Sequence, residues 1–228
     1  IASFPTAIPG KYQSVNEQDL AGGCLAHLFE KLLFYENALY ARDQEQDPYA
    51  LLDAIAGAVP PGSDKLIYLP WLNGERTPVD DITLRGGFFN MGKTHTQDHM
   101  IRSVLEGVAL NTRWSLKYVE KFAGRTLEPI HFIGGGAKSA LWCQIFADVL
   151  NRRICQVSRP MQANARGAAW IAAVGLGYIS FDDIPALTRI ARIYIPDTEN
   201  RGLYDERFDV FVTIYKRNRK LFKQLNAA

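Results

Sequence analysis

The stretch that decides the fold is Ile130-His131-Phe132-Ile133-Gly134-Gly135-Gly136-Ala137-Lys138-Ser139, which runs through Ala140 into Leu141-Trp142-Cys143-Gln144-Ile145-Phe146-Ala147-Asp148-Val149-Leu150. A short apolar run predicts a buried strand, the glycines a bare turn, and Leu141, Ile145 and Val149 recur at helical spacing. Glycine has no Cβ, so a base or a ribose can approach the main chain there, and the first amides of the helix point outward without an intrahelical partner. Ser139 is the candidate N-cap. Strand, turn and helix in this order suit a nucleotide at the carboxyl end of a parallel strand, near the partial positive charge of the helix start. A tight connection with no ligand would carry the same pattern, and the stretch alone does not separate the two.

Downstream, Arg153 to Val157 predicts a strand. Ala163 to Val174, rich in small residues, predicts a helix able to lie close to a sheet or a ligand plane. Residues 182 to 190 predict another short helix. From Tyr204 a last helix carries Phe208, Phe211, Tyr215, Phe222 and Leu225 on one face, while Lys216, Arg217, Arg219, Lys220 and Lys223 form a solvated basic side that complements the helix dipole. Upstream, Ile101, Val104, Leu105, Val108, Leu116 and Val119 keep an apolar period from Thr96 to Phe122, and Gly124 stops it. Leu66 to Leu72 predicts a buried strand ending in the turn Asn73 to Pro78. Glu75 and Arg76 there are either a surface ion pair or part of a site loop. Pro48 opens a helix through Ile55, after the polar break Asp43 to Asp47. Leu20, Cys24, Leu28, Leu32 and Tyr35 share one helical stripe, in which Gly22-Gly23 points to a late helix start or a close neighbour. Lys11 to Val15 alternates as one short strand.

With 228 residues and 47% apolar content the chain can bury a core, and 26 basic against 24 acidic residues give +2. That balance compels neither nucleic acid nor an anionic membrane as partner. The apolar runs, the longest near Ala168 to Ile179, are too short to span a bilayer, and no signal peptide is evident. Cys24, Cys143 and Cys155 sit in apolar patterns without metal-ligand spacing, which predicts reduced core thiols and a cytoplasmic location. The first residue is Ile1 rather than Met, so a preceding segment is expected.

Two short patterns invite other chemistry. Gly87-Phe88-Phe89-Asn90-Met91-Gly92-Lys93-Thr94 matches the Walker A pattern by letter, but lacks a preceding hydrophobic strand and a later strand ending in a Walker B aspartate. His95 and His99 stand on one helical face, but Thr96 follows the first where a zinc peptidase needs Glu, so a polar helix start is preferred.

Asn73-Gly74-Glu75-Arg76-Thr77-Pro78, Arg85-Gly86-Gly87-Phe88, Ile101 to Ala109, Gly134 to Leu150, and Gly167 to Gly175 follow one another in an order that resembles the C-terminal half of an FGGY-family carbohydrate kinase, most similar to the xylulokinases. The resemblance covers roughly Pro9 to Ile179. It implies an α/β, actin-like ATPase lobe of the ribonuclease-H-like type, with a mixed sheet flanked by helices. On this reading residues 1–228 are the second lobe, with a core over about 9–179 and a helical extension over 182–226, and the N-terminal sugar-binding lobe lies outside the chain. ATP with Mg2+ would be the phosphoryl donor, and the acceptor a xylulose-like ketopentose or related polyol bound mainly by the other lobe. Gly134, Gly135, Gly136 and Ala137 would lie along adenine and ribose of ATP or ADP, Ser139 beside them at the helix start, and Thr94 and Asp98 near the nucleotide. The helix from Gly167 would form the other wall of the adenine slot. Gln162 and Asn164 depart from the family pattern. The family's proton-accepting aspartate belongs to the first lobe, and none of Asp19, Asp43, Asp53, Asp64, Asp80 or Asp81 sits in a matching setting, so no catalytic residue is assigned here. A non-catalytic actin-like nucleotide-binding module is the alternative from a different class, and a homodimer is left open.

Overall fold

The computed structural model describes residues 1–33 and 47–227. Tyr35 and most of the polar break, residues 43–46, lie outside the described residues. In chain order the strands are β1 (Ala2–Pro5), β2 (Tyr12–Val15), β3 (Ile67–Leu69), β4 (Gly87–Phe89), β5 (Ile130–Phe132), β6 (Ile154–Val157) and β7 (Ile190–Tyr194). The helices are α1 (Gly22–His27, continued by a π-helical segment Leu28–Leu33), α2 (Pro48–Ala58), α3 (Gln97–Ala123), α4 (Ala140–Leu150), α5 (Ala163–Gly175), α6 (Ile184–Leu187) and α7 (Arg201–Asn226). β1 pairs with β2 and β3 with β4, both antiparallel; β5 lies parallel to β6 and β7 antiparallel to it. The sheet next to the glycines is therefore mixed.

Helix α3 is the spine. Its apolar period buries Ile101, Val104, Leu105 and Val108 completely or nearly so, and Gly124 at φ 66° stops it in the left-handed conformation that glycine tolerates. At Gly107 the helix meets β3 so closely that a Cβ would stand 2.3 Å from the Tyr68 carbonyl oxygen. Helix α7 closes the core from the other side. Trp71, fully buried, meets the rings of Phe211, Tyr215 and Phe222 at centroid separations of 5.3, 6.1 and 6.5 Å. Leu225, expected on that apolar face, is 79% exposed, because the last turn of α7 runs past the core. The five basic residues from Lys216 to Lys223 are exposed, as expected of a solvated side.

A buried ion pair joins these layers. Arg102 Nε donates to Glu106 Oε1 at 2.8 Å within α3, and Glu106 also accepts from Gly62 N, Ser63 Oγ and Tyr204 OH at 2.8 to 2.9 Å. Arg102 also donates to the Ala56 carbonyl of α2. A charge taken from water is tolerated only with such complete hydrogen bonding.

Three expectations change. Residues 182–190 are not one helix: a 3-10 turn and the short α6 end at Leu187, and Ile190 opens β7. Glu75 and Arg76 do not pair with each other. Glu75, 2% exposed, accepts from the main-chain N–H groups of Asp19, Arg76 and Thr77 and from Asn111 Nδ2, while Arg76 reaches out to Glu17 and Asp19. Burial pushes the Glu75 carboxyl upward, and these four donors partly offset it. Glu75 is thus a structural hub that binds the turn to α3. Helix α5 buries none of its residues, so its small side chains are not explained by close packing on the sheet.

Candidate functional site

At the glycine stretch the chain does what its residue types dictate. β5 ends, Gly134 turns at φ 82°, a 3-10 turn covers Gly136–Lys138, and the Ser139 hydroxyl caps α4 by accepting from Trp142 N at 2.8 Å. The glycines differ in what they leave open. A Cβ on Gly136 would press on the Trp142 ring at 3.0 Å, whereas one on Gly135 would find only Met161 Sδ at 3.8 Å. Gly135 is therefore bare for no packing reason of the protein's own.

Beside it opens a cavity of about 510 Å³, within the span of about 300 to 1,000 Å³ common for small-molecule sites. It is lined by Gly135, Gly136, Lys138, Ser139 and Trp142 of the glycine stretch and α4, by Gly22, Gly23, Leu25 and Ala26 of α1, by Asp47, Tyr49, Ala50 and Asp53 at the start of α2, and by Met161. Of the predicted site residues the structure brings Gly135, Gly136 and Ser139 to the cavity. Gly134 and Ala137 frame it without lining it: Gly134 donates its N–H to Pro160 O, and Ala137 is fully buried with its carbonyl accepting from Gln156 Nε2. Thr94 and Asp98 are exposed at the start of α3 and are not among the lining residues. The expected second wall, the helix from Gly167, is absent from the lining too; α1 and α2 take its place.

Asp47 is spent on structure, its carboxylate capping α2 by accepting from Tyr49 N at 3.0 Å. Asp53 is half-buried, and burial pushes its carboxyl above the ordinary aspartate range, countered by a hydrogen bond from the Ser139 hydroxyl; Asp47 adds to the upward push. Burial likewise pushes the Cys143 thiol up to about 11 and the Cys24 thiol up to about 12, which leaves both as inert core groups. All three cysteines are free and buried.

The alternative patterns resolve structurally. Gly87–Phe89 is strand β4, hydrogen-bonded to β3, and the helix begins at Gln97 rather than at Lys93, so the glycine and lysine of the pattern do not form a phosphate loop between a strand and a helix start. His95 accepts from Gly92 N through Nδ1 and meets the Asp64 carbonyl through Nε2, while His99 Nδ1 accepts from Thr96 N to cap α3. Among the described residues no group of three or more His, Cys, Asp or Glu is arranged to hold a metal. No described helix is long and apolar enough to cross a membrane.

Residues 2–176 match the C-terminal domain of the FGGY family of carbohydrate kinases. A xylulose kinase of Staphylococcus epidermidis is 31% identical over 97% of this chain and 42% of its own length, and a gluconokinase of Bacillus subtilis 29% identical over 78% and 35%. Among solved structures, xylulose kinase from Rhodospirillum rubrum superposes with a TM-score of 0.73 at 32% identity, over 90% of this chain and 39% of that one. The chain thus spans about two fifths of the length of such relatives. Its fold is the actin-like ATPase fold of these kinases, and the chain belongs to the FGGY family of carbohydrate kinases, as a C-terminal domain.

Proposed function

We propose that the protein transfers the γ-phosphate of ATP to a hydroxyl of a small sugar, a xylulose-like ketopentose or a related polyol, and that this chain supplies the nucleotide-binding half. The observation that carries the reading is the open cavity against Gly135 and Gly136 at the start of α4. A nucleoside slides against bare main chain there, and the helix start favours nearby negative charge. The similarity to xylulose kinases supports the sugar class, and that to gluconokinase widens it to related acids and polyols.

On this reading an N-terminal lobe outside the chain binds the sugar and supplies the aspartate that takes the hydroxyl proton. Neither Asp47, committed to a helix cap, nor Asp53, on the cavity wall, is given that role. Magnesium would accompany the triphosphate, since the described residues form no cage for it and the ion keeps mostly water and phosphate oxygens as ligands. The free, buried cysteines support a cytoplasmic location.

The test is a thermal-shift screen of the natural full-length protein with ATP against pentuloses, hexuloses, gluconate and glycerol. A ligand of the folded state raises its apparent stability, by about 2.7 kcal/mol at a hundred times its Kd. ATP together with one ketopentose is expected to give the largest shift, with ADP formed in the same sample. Stabilisation by nucleotide with no sugar turned over would instead favour a non-catalytic module.

A further inference from the structure

Resting on the nucleotide reading above, we propose that Asp53 selects ribonucleotides, its carboxylate accepting hydrogen bonds from both hydroxyls of the 2′,3′-diol. Asp53 lines the same cavity as Gly135 and Gly136 and stands beside Ser139, so a nucleoside laid on the glycines has its sugar edge near the carboxylate. The fold gives this carboxylate one hydroxyl partner, Ser139, and no ion pair among the described residues, whereas Asp47 caps a helix and Glu75 holds a turn. Ser139 is itself fixed by the Trp142 N–H, so it presents the carboxylate without satisfying both oxygens.

The chemistry discriminates among the parts of a nucleotide. A carboxylate is an acceptor only, with two oxygens, and a vicinal diol offers two O–H donors to match them. A purine amino edge sets its donor beside a ring-nitrogen acceptor, so one carboxylate oxygen would face a lone pair. The triphosphate would be repelled outright. Lys138 is the only cation among the described lining residues and the group that would attract the phosphates. The raised carboxyl agrees with this role, because donors from a ligand return what burial took from the charged form.

Calorimetry on the natural full-length protein with ADP, 2′-deoxy-ADP and 3′-deoxy-ADP tests the proposal. Each deoxy analogue is expected to bind about ten- to a hundredfold more weakly than ADP, the range for one hydrogen bond to a charged group. In Asp53→Ala the three should bind within about twofold of one another, and more weakly than either deoxy analogue binds the natural protein, where one of the two hydrogen bonds remains. Equal binding of all three to the natural protein overturns the assignment with no variant needed, and so does discrimination that survives Asp53→Ala. An Asp53→Ala enzyme whose sugar KM rises while ADP discrimination is intact would place the diol on the sugar substrate and also overturns it. Absence of any ADP binding by the natural protein would sink the nucleotide reading itself, a result distinct from the others.

Discussion

Gly134 sits at φ 82°, Gly136 lies under the Trp142 ring, and Gly135 lines the cavity where a Cβ would meet only Met161. Substitutions at these neighbours should therefore separate folding from binding. Gly134→Ala forces a Cβ into the left-handed region and is expected to cost about 1 to 2 kcal/mol, read by denaturant titration. Gly135→Leu places a Cβ that meets only Met161 and a side chain that enters the cavity, so it should leave the melting temperature within about 3 °C yet weaken ADP more than about a hundredfold. Lys93→Ala should leave ADP affinity unchanged, since its segment is a strand and a turn remote from the cavity lining. Glu75→Gln keeps the shape of the side chain and one acceptor oxygen for the three main-chain N–H groups, but removes the charge and sets an amide NH2 against Asn111 Nδ2, and a loss of about 1 to 3 kcal/mol is expected.

Among the elements, those with a long period were legible. α3 and α4 were readable in kind because the apolar period of each runs unbroken, and α3 carries its stop in the sequence at Gly124; the end of α4 is made by Asn151 at φ 51°. β7 was not. It pairs along one side only, and Ala191, Arg192 and Ile193 are all exposed, so no alternation marks Ile190–Tyr194 as a strand. The site was half legible for a related reason. Its glycine wall is contiguous in sequence, whereas Asp53 and Gly23 reach it through tertiary packing from about a hundred residues away, and nothing in the local pattern of α2 signals a cavity.

The docking of α7 on α3 carries a pH signature. Burial pushes the Asp205 carboxyl up, but hydrogen bonding and charge from Arg113 and Arg201 outweigh it and hold it below the ordinary aspartate range. A depressed carboxyl stabilises the fold above its unfolded value, and that contribution is lost as pH falls through the folded one. The melting-temperature gap between the natural protein and Asp205→Asn should thus be steady near pH 7, narrow as pH falls below the ordinary aspartate value of about 3.9, and close once pH has passed the lower folded value and the carboxylate is protonated in both states. A gap that stays constant into acid would show that the ion pairs contribute nothing.

Across the whole molecule, the match to the family's C-terminal domain ends at residue 176, while the similarity to a xylulose kinase covers 97% of the chain and the packing continues as well. Tyr204, Phe211 and Ile214 belong to the same core as Trp71, Val104 and Ile145, and Asp148 of α4 accepts from Asp197 N and Asn200 Nδ2 at the threshold of α7. Tyr204→Phe removes one donor from Glu106 and is expected to cost about 1 to 2 kcal/mol, read from the shift in denaturant midpoint. Glu106 answers donors from α3, the Gly62–Ser63 turn and α7 at once, so those parts should melt as a unit, in one sharp transition by every probe. A fragment trimmed to the matched stretch would strand that carboxylate and leave the Trp71 ring facing water, and it is expected to be recovered from expression as insoluble aggregate rather than as a smaller working lobe.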